Sequence, residues 1–318
     1  MYANSPMEVR HQTYKGTDVE TMTCISNDYG FAVCSFAVLG KKEALVVDTQ
    51  WTRSNAYRVI AELCDADKEL TTLVLSHAHP DHYFHAAIFK QAFPNVKIYA
   101  VDDDIETIRK ELQGKIDYWE PQPGMGSHNL PRQDIDFEIL PLASDPSPFR
   151  EGALQGSVYC EDTEVQIIHH IWGDLKYNSM VWIPDLKVLY GSDMLFSNAH
   201  PFTCEITKLG RKMWIEDIRR FRDEFDWDVV IPGHAKPGEL FDGRSFDFTI
   251  EYLEKTDEIM DECETAGEFY KRMCELFPDA LLLRSNEMNA NVFKTDMEWY
   301  FSDNEEESQA EWDKYFAK

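Results

Sequence analysis

The chain has 318 residues, 43% of them hydrophobic and 13% aromatic, and its 31 basic and 58 acidic side chains give a formal net charge of −27. Such a composition can bury a sizeable core and is not that of a disordered chain. The charge disfavours nucleic acid as a partner, and the lack of any apolar run of bilayer-spanning length disfavours a membrane-spanning helix.

Residues 1–16 contain no apolar segment of the signal-peptide kind. The seven cysteines are scattered, odd in number and without a C-x-x-C pair, which argues for a reducing, cytoplasmic compartment and against a disulfide framework. Residues 31–38 and 44–49 are short apolar β-type runs separated by Gly40-Lys41-Lys42, a hairpin signal. Ala56, Val59, Ile60 and Leu63 have helical spacing within 54–64. Thr72–Ser76 reads as a buried strand, followed by a polar motif and one helix running through Phe93. A strand at 96–100 and a helix near 102–113 come next. Residues 114–156 are rich in Pro, Gly, Asn and Ser and read as a long surface excursion. The turns Trp119-Glu120-Pro121 and Pro123-Gly124-Met125-Gly126 would suit a lid.

Strand character returns at 157–160, 164–171, 179–184 and 187–193. A helix is predicted over 212–225 and a strand entering a loop over 228–234. Residues 247–277 are amphipathic and helical, read first as packing on the same domain and second as a homodimer surface. From Asp296 to Lys318 there are eight acidic residues and two lysines, read as a solvated or frayed end. The order predicts an α/β protein of two similar halves, sheet inside and helices outside.

The chemical signal is Ser76-His77-Ala78-His79-Pro80-Asp81-His82. In extended chain, positions 77 and 79 face the same side; proline then turns the chain, and Asp81 and His82 start a helix. Four ligand-type side chains thus arrive within six residues from two backbone directions, a geometry that serves two metals. Histidine occupies 10 of 318 positions and acids 58. By chance the pattern H-x-H-x-(D/E)-H is expected only about 0.002 times in such a chain.

This segment resembles the HxHxDH signature of the metallo-β-lactamase-fold superfamily of metal-dependent hydrolases. The similarity runs from about residue 20 to about 240 and includes 44–49, 183–196 and 229–234. The resemblance implies a four-layer αββα sandwich in residues 1–246, with 247–318 as a C-terminal helical extension ending in an acidic tail. It also implies that His77 and His79 bind a first zinc and that Asp81, His82 and His234 bind a second. Asp193 would bridge the two, although serine stands at 192 where glycine is usual. The third ligand of the first site departs from the usual Gly-His-Thr. His170 is favoured, with Asp174 (19 residues before Asp193) and His169 as alternatives. A carboxylate there would shift preference toward iron or manganese.

A centre mixing imidazoles with carboxylates is of the catalytic kind, since structural zinc is usually a closed Cys/His tetrahedron. The expected activity is attack by an activated hydroxide on a small ester, lactone, thioester or amide, with Asp81 and Asp193 as catalytic carboxylates. The alternative is a non-haem iron oxygenase or sulfur-oxidising enzyme. His200, His85, Lys236 and Tyr83 are candidates for substrate contact, and Asp48 is a candidate to orient a ligand histidine. Trp119, Trp172 and Trp182 would wall an apolar pocket or pack in the core.

Overall fold

The computed structural model describes residues 7–122 and 126–316. Part of the expected lid, Pro123-Gly124-Met125, lies outside the described residues. The chain divides into two compact units. The first comprises Met1–Ser144, Gly156–Ile167 and Ile183–Leu186, and the second Asp145–Gln155, Ile168–Trp182 and Lys187–Lys318.

The first unit is built on a seven-stranded sheet in chain order: β1 (Glu8–Thr13), β2 (Glu20–Ile25), β3 (Cys34–Leu39), β4 (Glu43–Val47), β5 (Glu69–Val74), β6 (Lys97–Ala100) and β7 (Ile139–Pro141). β1 to β4 pair antiparallel and β4 to β7 parallel. The connections of the parallel half carry α1 (Arg53–Asp65), α2 (Pro80–Tyr83), α3 (Ala86–Ala92), α4 (Asp102–Trp119) and α5 (Gly126–Asn129). Thr52 caps α1 by accepting the Asn55 amide, and Val59, Ile60 and Leu63 bury its apolar face, as their spacing requires. In the parallel pair β4/β5, Val47 lies opposite Val74. The chain therefore leaves both strands at the same edge, at Asp48 and at Leu75-Ser76.

A six-stranded sheet has the order β14 (Val229–Ile231), β12 (Val188–Tyr190), β11 (Asn178–Ile183), β10 (Thr163–Ile171), β9 (Leu154–Cys160), β8 (Ser144–Pro146). In the second unit β12 and β14 are parallel, with Tyr190 opposite Ile231. A short parallel pair, β13 (Phe196–Ser197) with β15 (His234–Ala235), follows from the same two segments. Around them lie α6 (Lys208–Glu224), α7 (Arg244–Glu262), α8 (Ala266–Leu276), α9 (Leu283–Lys294) and α10 (Glu305–Glu311). Tyr252, Ile259, Phe269, Met273 and Ala290 form a core shared by α7, α8 and α9.

Four sequence expectations change. The helix through Phe93 is two helices, because the His85 amide donates to the Thr49 hydroxyl at 3.2 Å instead of extending α2. The helix expected near 102–113, α4, extends to Trp119, and β7 and β8 stand within what reads as a loop. The stretch 247–277 divides at Thr265, whose hydroxyl accepts the Glu268 amide while the Glu268 carboxylate accepts the Thr265 amide. The acidic end is ordered: Asn304 caps α10 by accepting the Glu307 amide. The seven cysteines form no disulfide, and no helix among the described residues is long and apolar enough to cross a membrane.

A buried ion pair ties the second unit together. Arg150 donates through Nε and Nη2 to Asp217 at 2.6 and 2.8 Å, and Asp217 also accepts the Trp172 amide at 2.9 Å. Asp217→Ala leaves the buried guanidinium without its partner. The expected loss is about 3–5 kcal/mol, measured as a lowered denaturation midpoint; a midpoint within error of wild type would contradict this.

Candidate metal centre

In the first unit the strand end after β5 and the start of α2 bring His77, His79, Asp81 and His82 together. All four are buried, His77 and His82 completely. The His77 ring centroid lies 4.9 Å from that of His79 and 4.2 Å from that of His82. His79 has extended backbone (φ −85°, ψ 143°) and Pro80 opens the helix, so the change of backbone direction read from the sequence is present. The Asp81 carboxylate lies 3.6 Å from His82 Nε2.

Asp48 fixes the imidazoles. One of its oxygens accepts the Ser76 amide at 2.9 Å; the other accepts the Ser76 hydroxyl at 2.8 Å and the His82 Nδ1–H at 2.9 Å. With the Ser76 proton committed to Asp48, the Ser76 oxygen accepts from His77 Nδ1–H at 3.0 Å. In the neutral rings the proton therefore sits on Nδ1 and the lone pair on Nε2. Asp48 adopts φ +67°, a left-handed conformation that aspartate tolerates better than most residues.

In the second unit the parallel strands β12 and β14 deliver Asp193 and His234. His234 Nε2 lies 3.0 Å from Asp193 Oδ2, and the His234 ring stacks on Phe196 at 5.0 Å. Gly233 makes this approach possible: a Cβ there would stand 2.3 Å from the Ser192 carbonyl carbon. Ser192 itself has φ +43°, a conformation for which glycine is the usual residue. Asp174 is fully buried, accepts the Asn178 side-chain amide at 2.8 Å, and places an oxygen within 4.8 Å of an Asp193 oxygen.

His170, favoured from the sequence, does not join that group. Its ring stacks on Tyr177 at 4.4 Å, and its backbone is left-handed at φ +57°. His169 is buried on the other side of β10 and is also outside the group. The carboxylate arrives on the turn after the strand. Asn178 carries no motif in the sequence; its only signal is an amide side chain four residues beyond Asp174.

The metallo-beta-lactamase superfamily model matches residues 28–234. The chain belongs to that superfamily. Among solved structures, the metallo-beta-lactamase IND-7 aligns at TM-score 0.55 and 16% identity, over 79% of this chain and 100% of its own. The metallo-beta-lactamase of Hirschia baltica gives 0.52 and 17%, over 78% and 98%. FIM-1 of Pseudomonas aeruginosa, solved in a mono-zinc form, gives 0.51 and 18%, over 79% and 96%. At these identities the likeness is one of fold, the metallo-β-lactamase fold. No curated protein matches the chain in sequence.

The superfamily frame leaves the four substrate candidates in different surroundings. His85 is fully buried and donates from Nε2 to the Trp51 carbonyl at 3.1 Å, so it does not face solvent. His200 is also fully buried, with Nδ1 3.0 Å from the Tyr252 hydroxyl. The Tyr83 hydroxyl is buried without a hydrogen-bond partner among the described residues, and burial, with Glu111 and Asp81 nearby, pushes its pKa up. Lys236 is half-exposed, and its ammonium donates to the Asp279 carbonyl at 3.1 Å. Trp172 is core, whereas Trp119 packs edge-on against Trp51 at 4.9 Å.

Two predictions follow from these contacts. Asp48→Asn presents an N–H where His82 needs an acceptor. Metal affinity is expected to fall about 10–100-fold with the fold retained, read by chelator competition and circular dichroism; unchanged affinity would remove Asp48 from the centre. Burial lowers the His85 pKa to about 3 and the His200 pKa to about 4. The unfolded chain, with histidine near 6.5, binds protons first as pH falls, so both residues make stability decline from about pH 6.5 toward 3–4. His200→Gln should flatten part of that slope in denaturation midpoints measured across this range, and an unaltered slope would refute the assignment.

Proposed function

We propose that the chain is a metal-dependent hydrolase that holds a pair of divalent cations, zinc before iron or manganese. His77, His79, Asp174 and Asp193 would surround one ion, and Asp81, His82 and His234 the second. In this reading Asp174 takes the place expected for His170. The observation that carries it is the pair of fixed tautomers. With Nδ1 committed, His77 and His82 offer lone pairs at Nε2, in company with carboxylates that offer lone pairs as well. Such a buried donor set suits a cation. The 3.0 Å separation of Asp193 from His234 supports a shared role for that carboxylate.

Cations bound there supply hydroxide at neutral pH and a Lewis acid for a carbonyl. The chain's own groups do the rest. Asp81, beside His82, holds the proton of the attacking water. Tyr83, whose raised pKa keeps it protonated, donates to the substrate oxygen. A net charge of −27 disfavours polyanions, which leaves a small ester, lactone, thioester or amide as the substrate class. Seven cysteines that form no disulfide support a reducing, cytoplasmic setting.

Elemental analysis of the purified protein is expected to find zinc, near two per chain, and a panel of lactones, esters and thioesters to be turned over. The double variant His77→Ala/His82→Ala is expected to lose both metal and at least a hundredfold in kcat/KM. Turnover that survives the double variant unchanged would overturn the proposal. One observation favours a second reading: Asp174 makes the donor set richer in carboxylate than an all-imidazole site, which suits iron. Bound iron with oxygen uptake and no hydrolysis would select that reading.

A further inference from the structure

We propose that the C-terminal acidic segment, residues 302–316, is a strap that positions Asp174 for the metal, with Lys176 and Tyr177 as its points of attachment. The inference rests on the assignment of Asp174 as a ligand.

Asp174 stands on the short turn between β10 and β11, within the second unit. One end of that turn is held by the Trp172 amide on Asp217 and the other by Asn178 on Asp174. The part between them is held by the C-terminal segment. The Lys176 amide donates to the Ser302 hydroxyl at 2.9 Å. The Lys176 ammonium lies 3.1 Å from both Glu307 and Glu311, and the Tyr177 hydroxyl donates to Glu311 at 3.2 Å. Tyr177 is also the ring on which His170 stacks.

An exposed ion pair rarely fixes anything. This one differs in two respects. The Lys176 side chain is only 12% exposed and Glu311 18%, whereas Glu307 is 56% exposed, so the lysine's charge is largely removed from water and rests chiefly on Glu311. The strap also has its own moorings. Asp303 accepts the Thr207 amide at 2.8 Å at the start of α6, and Ser302 donates its amide to the Glu205 carbonyl at 2.7 Å. Beyond α10, the Arg150 guanidinium lies over the Phe316 ring at 5.0 Å. Arg150 is the partner of Asp217, so one residue joins the strap to the anchor of the turn. The turn is therefore clamped from both sides, and loosening the strap frees Asp174 to move away from its ligand position.

The test uses the full-length protein with cobalt(II) as the probe ion. Lys176→Ala is expected to weaken cobalt affinity about 10–100-fold, the range for a lost ligand-supporting contact, and to alter the visible d–d bands. Lys176→Arg should restore both. Glu311→Gln, a milder change that keeps the chain folded should Lys176→Ala not do so, should shift both in the same direction. Lys208→Ala, which removes an exposed pair with Asp261 in the same unit, should leave both unchanged. A wild-type protein that binds no cobalt would end the metal reading and this inference with it. Wild type that binds cobalt, with Lys176→Ala and Glu311→Gln matching its affinity and bands, would overturn the strap alone.

Discussion

Asp48 is buried and accepts three hydrogen bonds, two from Ser76 and one from His82. Its position follows from strand register. Because β4 and β5 are parallel with Val47 opposite Val74, the residue leaving β4 meets the chain leaving β5. A slip of one residue would reverse the inward and outward faces and place another side chain against Ser76. The left-handed backbone at Asp48 turns the chain at the strand end and aims the carboxylate along the sheet edge. From that one contact come the tautomers of His77 and His82, and from the tautomers the ability of the cluster to accept a cation rather than share a proton.

The second unit uses the same device with different residues. β12 and β14 are parallel, so Asp193 and His234 also leave adjacent strands at one edge. Backbone proximity does there what a carboxylate does in the first unit. The Gly233 amide donates to the Ser192 carbonyl at 2.8 Å, an approach that no side chain at 233 would allow. Ser192 holds a positive φ with a side chain attached, a local strain that the surrounding parallel pair must offset. The carboxyl ends of parallel strands are where open α/β sheets bind their ligands, and the residues proposed for the centre leave β5, β12 and β14 at such ends.

Much of this could be read from sequence because it is local. His77, His79, Asp81 and His82 fall within six residues, and a strand-proline-helix transition suffices to gather them. Asp193 and His234 follow short apolar strands whose ends are visible as composition changes. The choice between His170 and Asp174 was not local. Alternation along β10 leaves His169 buried and His170 half-buried, and the sequence does not show that Tyr177 lies under the His170 ring. The acidic end misleads for a similar reason. Its charge density reads as solvation, and only the fold reveals Lys176, 131 positions before Glu307, as the partner of Glu307 and Glu311. The break at His85 likewise depends on Thr49, a partner 36 residues away.

The burial of so many acceptors also bears on how metal and fold would be linked. Asp48 is satisfied by donors from its own unit, and Asp217 by Arg150. The carboxylates proposed for the centre, Asp81, Asp174 and Asp193, are buried, and the chain as a whole carries 27 more acidic than basic residues. Lys236, the nearest basic residue in sequence to His234, is engaged with Asp279. Burying carboxylates costs stability, and a cation that binds only the folded arrangement would offset part of that cost by mass action. The same residues that make the site reactive would then make the folded state depend on its metal, as expected where binding and folding share one free energy.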